Sequence, residues 1–297
     1  MVQAVRHQTR RNGKEERSKI IGKTWTQYRY TPAEVGMTEF PVGHIRLTGF
    51  AETRDPMQAD CFVLPPDIRW VSNEQITRLP YIAGNVARHV FFSISEHPNR
   101  VLPFDGAIVF RTDNCERIAR ANPSTITWAW GCDDLIGYMP VPVGGFKYDI
   151  CFQGWRSTEL TDRACESIQR AGLKAHIAIS DKFFGHIETE ASQGNLDAIT
   201  LFGDLRSSFL HAMHESRLSL CPRSKPEGVA RWRLYEAMSM GRVTAHLCDG
   251  FVPPLSDRID WSKCQLQIRE QDVDRCGEII GEWIAAHSDG EIIERGV

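Results

Sequence analysis

Nowhere in the 297 residues is there a run of about 18 uncharged apolar residues, and the basic start (residues 1–20) leads into no apolar signal core. The expectation is a soluble, cytoplasmic chain with no membrane span and no secretory signal. The nine cysteines are odd in number and include no CxxC pair, so a disulfide framework is not expected and reduced, mostly buried thiols are. There is no GxGxxG, no Walker loop and no GxSxG. Dinucleotide oxidoreduction, P-loop hydrolysis and elbow-serine hydrolysis therefore lack their signatures. Neither sign of charge dominates: 35 Lys+Arg stand against 38 Asp+Glu. That balance provides no overall basic field and argues against nucleic acid as partner. With 42% hydrophobic and 25% charged residues the composition is globular, which excludes disordered, collagenous and coiled-coil classes.

What is present is an alternation of short apolar runs with helical patterns, the mark of α/β layering. The first half reads as strands near 44–48, 61–64, 90–95, 107–111 and 125–130, with helices at 73–79 and 115–121. The segment 139–145, with two prolines and paired glycines, suits an interdomain connection. A boundary at 143/144 divides the chain into residues 1–143 and 144–297. The second half reads as strands 149–152, 175–180, 218–221 and 243–247. Its helices are 159–171, 205–215 with Asp204 as N-cap, 229–240 closed by Gly241, and 273–286. Repeated βαβ units imply parallel sheets covered on both faces.

The most informative stretch runs from Leu218 to Arg242: a buried strand, a polar loop and a helix. A loop at the carboxyl end of a parallel strand is where ligands bind, and the helix start behind it favours a phosphate. Arg223, Lys225, Arg231 and Arg233 add four cations in eleven residues, and Glu236 stands three residues after Arg233. A carboxylate near a diphosphate-binding helix start suits a ribose diol. Spacing alone also fits a surface helix with a solvated Arg–Glu pair.

Leu-Cys-Pro-Arg223, Arg233-Leu-Tyr-Glu-Ala-Met-Ser-Met-Gly-Arg242, Asp249-Gly-Phe-Val-Pro-Pro254 and Ile259-Asp-Trp-Ser-Lys263 resemble, in order and spacing, the exostosin family of glycosyltransferases, family 47. Ala59-Asp-Cys-Phe-Val-Leu-Pro65, Arg88-His-Val-Phe-Phe-Ser-Ile-Ser-Glu-His-Pro98 and Phe152-Gln-Gly154 resemble its other segments. The resemblance implies a GT-B architecture of two Rossmann-like domains facing across a cleft. The first would bind the acceptor and the second the nucleotide sugar, with the last helix packing back toward the first. It implies an inverting transfer from a UDP-sugar, xylose or galactose favoured, to a hydroxyl of a glycan or glycoprotein. It places Arg233 on the diphosphate and Glu236 on the ribose. Arg223 falls on the Arg of the family's Cys-Pro-Arg-Gly segment, where Ser224 replaces the glycine, and Arg156 and Arg231 join the expected donor set.

Inverting transfer needs a base for the acceptor hydroxyl and positive charge at the leaving group. Glu96, aligned with the family's Asp, is the leading base, and His89 the second. The alternatives are a turn at Glu-His-Pro98 and a structural histidine. No metal is expected: Asp272 and Asp274 have D-x-D form but open the last helix, where carboxylates suit the dipole. The competing expectation is a catalytically silent glycan-binding or scaffold protein of the same fold.

Overall fold

The computed structural model describes residues 25–40, 50–94, 100–112, 114–129, 132–180, 183–223 and 232–296. The described residues form two compact units that divide between residues 128 and 129.

The first unit carries the strands β1 (Thr26–Arg29), β2 (Ala51–Thr53), β3 (Cys61–Asp67), β4 (His89–Ser93), β5 (Ile108–Arg111) and β6 (Thr125–Thr127). They form one sheet, ordered β2-β1-β3-β4-β5-β6, and every pair is parallel. β3 buries all but its first residue and β4 buries all five. Such unbroken burial fits central parallel strands covered on both faces. Pro65 and Pro66 have no N–H for the ladder, and the β3–β4 register shifts between Val63 and Asp67. Tyr30, Phe62, Leu64 and Phe91 fill one core; Val63, Val90 and Phe92 fill another with Phe110 and Trp128. Helices α1 (Pro32–Val35) and α2 (Asn73–Thr77) start with capping boxes, Thr31 with Glu34 and Ser72 with Gln75, and α3 spans Glu116–Ala121. The edge strand β2 and its neighbour β1 are not foreseen by the sequence pattern. The strand expected at 44–48 lies outside the described residues, all but residue 50 of that neighbourhood.

The second unit carries β7 (Tyr148–Trp155), β8 (Ala175–Ser180), β9 (Ser216–Pro222), β10 (Val243–Leu247) and β11 (Gln265–Ile268). Its helices are α4 (Glu159–Arg170), α5 (Phe184–Ser192), α6 (Leu196–His214), α7 (Trp232–Ser239), α8 (Cys276–Ala285) and α9 (Asp289–Gly296). The sheet order is β11-β10-β9-β7-β8, again all parallel. Counted within its own unit, each sheet follows the doubly wound order 2-1-3-4-5, extended by a sixth strand in the first. Each unit is thus a doubly wound parallel α/β sheet, compatible with a Rossmann-like fold. The order reverses between β1 and β3 in one and between β7 and β9 in the other, and such switch points open a crevice at the strands' carboxyl ends.

One face of the second sheet packs Ile150, Leu218 and Val243 on Ala164, Ile168 and Ile280. Against the other, Cys151 meets Ala212 and Met213 of α6 and Ala237 of α7. Two expectations change. Helix α6 starts at Leu196, because the Asn195 side chain accepts the N–H groups of Asp197 and Ala198; Asp204 lies inside the helix and caps nothing. The helix expected at 273–286 is α8, which buries Cys276 and Ile280 in the core of its own unit, as α9 does Ile292. Residues 132–143 also count with the second unit: Leu135 is buried with Cys151 and Met213, and its N–H donates to Ser239 Oγ at 3.0 Å. Among the described residues no helix is long and apolar enough to cross a membrane.

Helices α4 and α8 cross at backbone contact. A Cβ on Gly277 would stand 2.3 Å from the Ser167 carbonyl oxygen and 2.8 Å from Ala171 Cβ. One turn along α8, a Cβ on Gly281 would meet only Leu173 Cδ2 at 3.5 Å. Gly277→Ala should therefore destabilise the protein by about 1–3 kcal/mol through overpacking. Gly281→Ala should be neutral or stabilise by up to about 1 kcal/mol through helix propensity. Thermal unfolding of the two variants checks this, and equal shifts would contradict it.

Candidate functional site at the switch point of the second sheet

The crevice between β7 and β9 receives the side chains of α7. Arg233 extends from the first turn of that helix to the end of β7, where its Nη2 donates to the Gln153 carbonyl at 2.7 Å. The guanidinium carbon lies 4.7 Å from the Phe152 ring centre and 5.6 Å from that of Phe209 on α6. Gly154 makes room for it: a Cβ there would fall 2.5 Å from Arg233 Nη2. The glycine of Phe152-Gln-Gly154 thus has a local physical reason. Among the described residues no carboxylate pairs with Arg233, and its Nε is buried without a hydrogen-bond partner. A cation held by ring faces and one carbonyl keeps its charge available to an anion.

Glu236 follows on the same helix, 5% exposed, with its Oε1 2.6 Å from Nη1 of Arg206 on α6. Arg206 Nη2 also reaches Asp133 at 2.7 Å. The Gln153 amide ties the strand end to α6, donating to the Leu205 carbonyl and accepting from the Ser208 hydroxyl, each at 3.0 Å. Beside this network, burial first, and then the charges of Glu236 and Asp133, push the Cys132 thiol up to about 11. That shift favours the protonated thiol over the nucleophilic thiolate.

The other expected donor residues lie on the same carboxyl-end edge but are differently engaged. Arg223, after β9, donates through Nε to Glu270 Oε1 at 2.6 Å. Burial pushes the Glu270 carboxyl up, but the hydrogen bonds from Arg223 and the Asp249 N–H, with the guanidinium charge, hold it below its ordinary value. Arg156, after β7, is exposed and 3.6 Å from Asp162. Arg233 and Glu236 are thus joined in one network, while Arg223 and Arg156 are held in separate ion pairs. Ser224, Arg231 and Glu96 lie outside the described residues. Asp274 pairs with Arg163 at 2.6 Å and Asp272 with Arg269 at 2.9 Å, so each carboxylate of the D-x-D already has a cation.

His89 sits in the core of the first unit, wholly buried. Its Nδ1 is 2.8 Å from the Asn85 carbonyl and its Nε2 is 2.7 Å from the Tyr30 hydroxyl. Its ring stacks on Phe62 at 4.9 Å. A general base needs a lone pair open to the substrate; both nitrogens here are engaged inside the core, so its place is structural. Sequence reasoning overlooks Arg206 and Asp133 altogether, because nothing local links them to Glu236. Gln153 and Gly154 are visible in the motif without their role.

No protein-family model matches the chain, and no curated protein does.

Two outcomes follow from these contacts. Arg206→Ala leaves the Glu236 carboxylate buried without its cation and should cost about 3 kcal/mol. In a double-mutant cycle the second change, Glu236→Gln, should then add far less than it does alone. Additive losses in urea unfolding would deny the coupling. The buried histidines set a pH dependence as well. Burial lowers His246 to about 4 and also lowers His89 from the ordinary value of 6.5. The unfolded chain therefore binds protons that the folded chain refuses, and stability is full above about pH 6.5 and falls as the pH drops toward 4. The slope reaches about 1.4 kcal/mol per pH unit for each histidine. Unfolding at pH 7.5, 6 and 5 should show it, reduced in His246→Gln; an identical slope in that variant would remove His246 as a source.

Proposed function

We propose that the chain is an inverting glycosyltransferase of GT-B architecture that moves a sugar, xylose or galactose favoured, from a UDP-sugar to a hydroxyl of a glycan or glycoprotein acceptor. The observation that carries this reading is the unneutralised Arg233 guanidinium at the switch point of the second sheet, one turn from the fixed carboxylate of Glu236. A cation at a crevice of this kind suits a nucleoside diphosphate, whose negative charge grows as the sugar departs. A carboxylate has about four acceptor positions, and Arg206 engages one oxygen of Glu236. The remaining capacity suits the two hydroxyls of a ribose. Arg206 is then a positioning residue that holds the carboxylate in place.

In the proposed reaction the acceptor hydroxyl attacks the anomeric carbon as the bond to the diphosphate breaks. Glu96 is the proposed base that takes the hydroxyl proton, and Arg233 stabilises the departing diphosphate. Arg223 and Arg156 would join it by exchanging their carboxylate partners for phosphate. Donor binding needs no metal in this scheme. The protein is proposed to act in the cytoplasm.

A catalytically silent glycan-binding or scaffold protein of the same fold is the second reading. It is favoured by the enclosure of His89, which removes one of the two candidate bases.

Calorimetric titration with UDP tests the donor site. UDP should bind in the presence of EDTA. Arg233→Ala should weaken it at least 10-fold, and Glu236→Gln by about 1–3 kcal/mol, the range of charge-assisted hydrogen bonds. In a transfer assay Arg233→Ala should lower turnover on the order of 10²-fold. No UDP binding at millimolar concentration would end the donor reading. Binding without transfer or hydrolysis of any UDP-sugar would favour the silent protein.

A further inference from the structure

On the far side of β7 from β9, the end of the sheet borders a second cavity of about 430 Å³ between α5 and α6. That is the size of a small-molecule site. Its walls include Trp155, at the end of β7, together with Phe183 and His186. The Trp155 and Phe183 rings meet edge to face, 5.5 Å apart at 63°, and Phe183 and His186 likewise, 5.4 Å apart at 87°. Roughly perpendicular rings make a corner. Phe183 is set in it by the lack of a side chain at Gly185, where a Cβ would stand 2.6 Å from the Phe183 ring. The helices behind are held together by Phe184 of α5 stacked on Phe202 of α6, 4.7 Å between centres. The corner therefore belongs to the folded unit and is formed before any ligand arrives.

Apart from the imidazole of His186, the ionisable groups of the lining are carboxylates. Glu190 and Asp197 both line the cavity, and among the described residues neither has a basic partner and no Lys or Arg belongs to the lining. Asn195 also lines it, but its side-chain oxygen is committed to the cap of α6. Among the described residues, a phosphate or carboxylate ligand would meet two carboxylates, with the His186 imidazole and no lysine or arginine to offset them. A neutral sugar would meet chiefly acceptors, with few donors to match its hydroxyl oxygens. A cation gains from both components, since ring faces attract positive charge and the carboxylates neutralise it.

We infer that this cavity binds a small organic ammonium ion, with Trp155 and Phe183 as its aromatic walls and Glu190 and Asp197 as its counter-charges. The inference does not rest on the donor reading, because the cavity shares no residue with the Arg233–Glu236–Arg206 network.

Tetramethylammonium chloride is the probe, titrated by calorimetry into the full chain against sodium chloride at equal ionic strength, with xylose in a parallel arm. Tetramethylammonium should bind saturably and xylose should not. Trp155→Ala should weaken binding at least 10-fold, and Glu190→Gln combined with Asp197→Asn should do the same. These three side chains are exposed, and the thermal unfolding of each variant, measured alongside, should match that of the parent. Because a fold defect also loses binding, the parallel variant Trp155→Phe, which keeps an aromatic face, should retain most of the affinity. Heat no different from that of sodium chloride, binding unchanged in Trp155→Ala, or saturable xylose binding in place of tetramethylammonium would each overturn the proposal.

Discussion

A guanidinium fills the space that a side chain at residue 154 would need, and the layout of the second unit's carboxyl edge depends on that contact. Arg233 reaches it only because Gly154 has no Cβ, and it stays there because the Gln153 carbonyl and the rings of Phe152 and Phe209 surround it. The contact joins three elements: the end of β7, the middle of α6 and the start of α7. Gln153 adds the second tie through Leu205 and Ser208, and Arg206 to Glu236 the third. Each tie needs the others' geometry. A change at Gly154 would move α7 and, with it, the carboxylate of Glu236.

Comparison with other buried and half-buried arginines of the unit shows what is particular about this cation. Arg242 is 2% exposed and donates to a ring of carbonyls, those of Tyr138, Met139, Met240, Gly241 and His214 among them. Burial pushes its pKa down to about 10. That arginine closes the end of α7 over residues 138–140: both terminal nitrogens are spent on backbone carbonyls, while its Nε, like that of Arg233, is buried without a partner. Arg223 is neutralised by Glu270 and Arg206 by Glu236 and Asp133. Arg233 combines one carbonyl with ring faces and stands at the switch point. The others hold the fold together; this one has capacity left over.

The sequence made much of the architecture legible. Val243–Leu247 occurs where the apolar run places it, since central parallel strands are apolar on both faces and bounded by breakers; Ala175–Ser180 also falls on its run, although it is a half-buried strand at the sheet's edge. Elements that lack such a signal escaped. β1 and β2 are short and lie toward one edge of their sheet, and β11, Gln-Leu-Gln-Ile268, is half polar at the edge of its own. The start of α6 was hidden by Gly203, which looks like a breaker and sits inside the helix because the neighbouring turns pack on α5. In the candidate site, Arg233 and Glu236 could be found because they share a helix at i, i+3. Arg206 could not, because its partner is 30 residues further along and only the fold brings them together. His89 had the opposite fault: it looks like chemistry in a sequence, whereas its burial and both of its partners depend on Tyr30, Asn85 and the stack around Phe62.

The same strand order in both units makes their difference a matter of side chains. At the switch point of the first sheet, Arg29 at the end of β1 pairs with Glu52 at 3.2 Å, and Asp67 at the end of β3 accepts the N–H groups of Arg69 and Ile94. Both charges are engaged by groups of the unit itself. At the switch point of the second sheet the facing cation has no carboxylate partner among the described residues, and the nearby carboxylate is fixed from behind. Two crevices of one topology thus differ in what they leave uncompensated, and an anion gains more from the second than from the first. Duplicated topology supplies two such crevices, and the unpaired charge is what distinguishes the second as the proposed site.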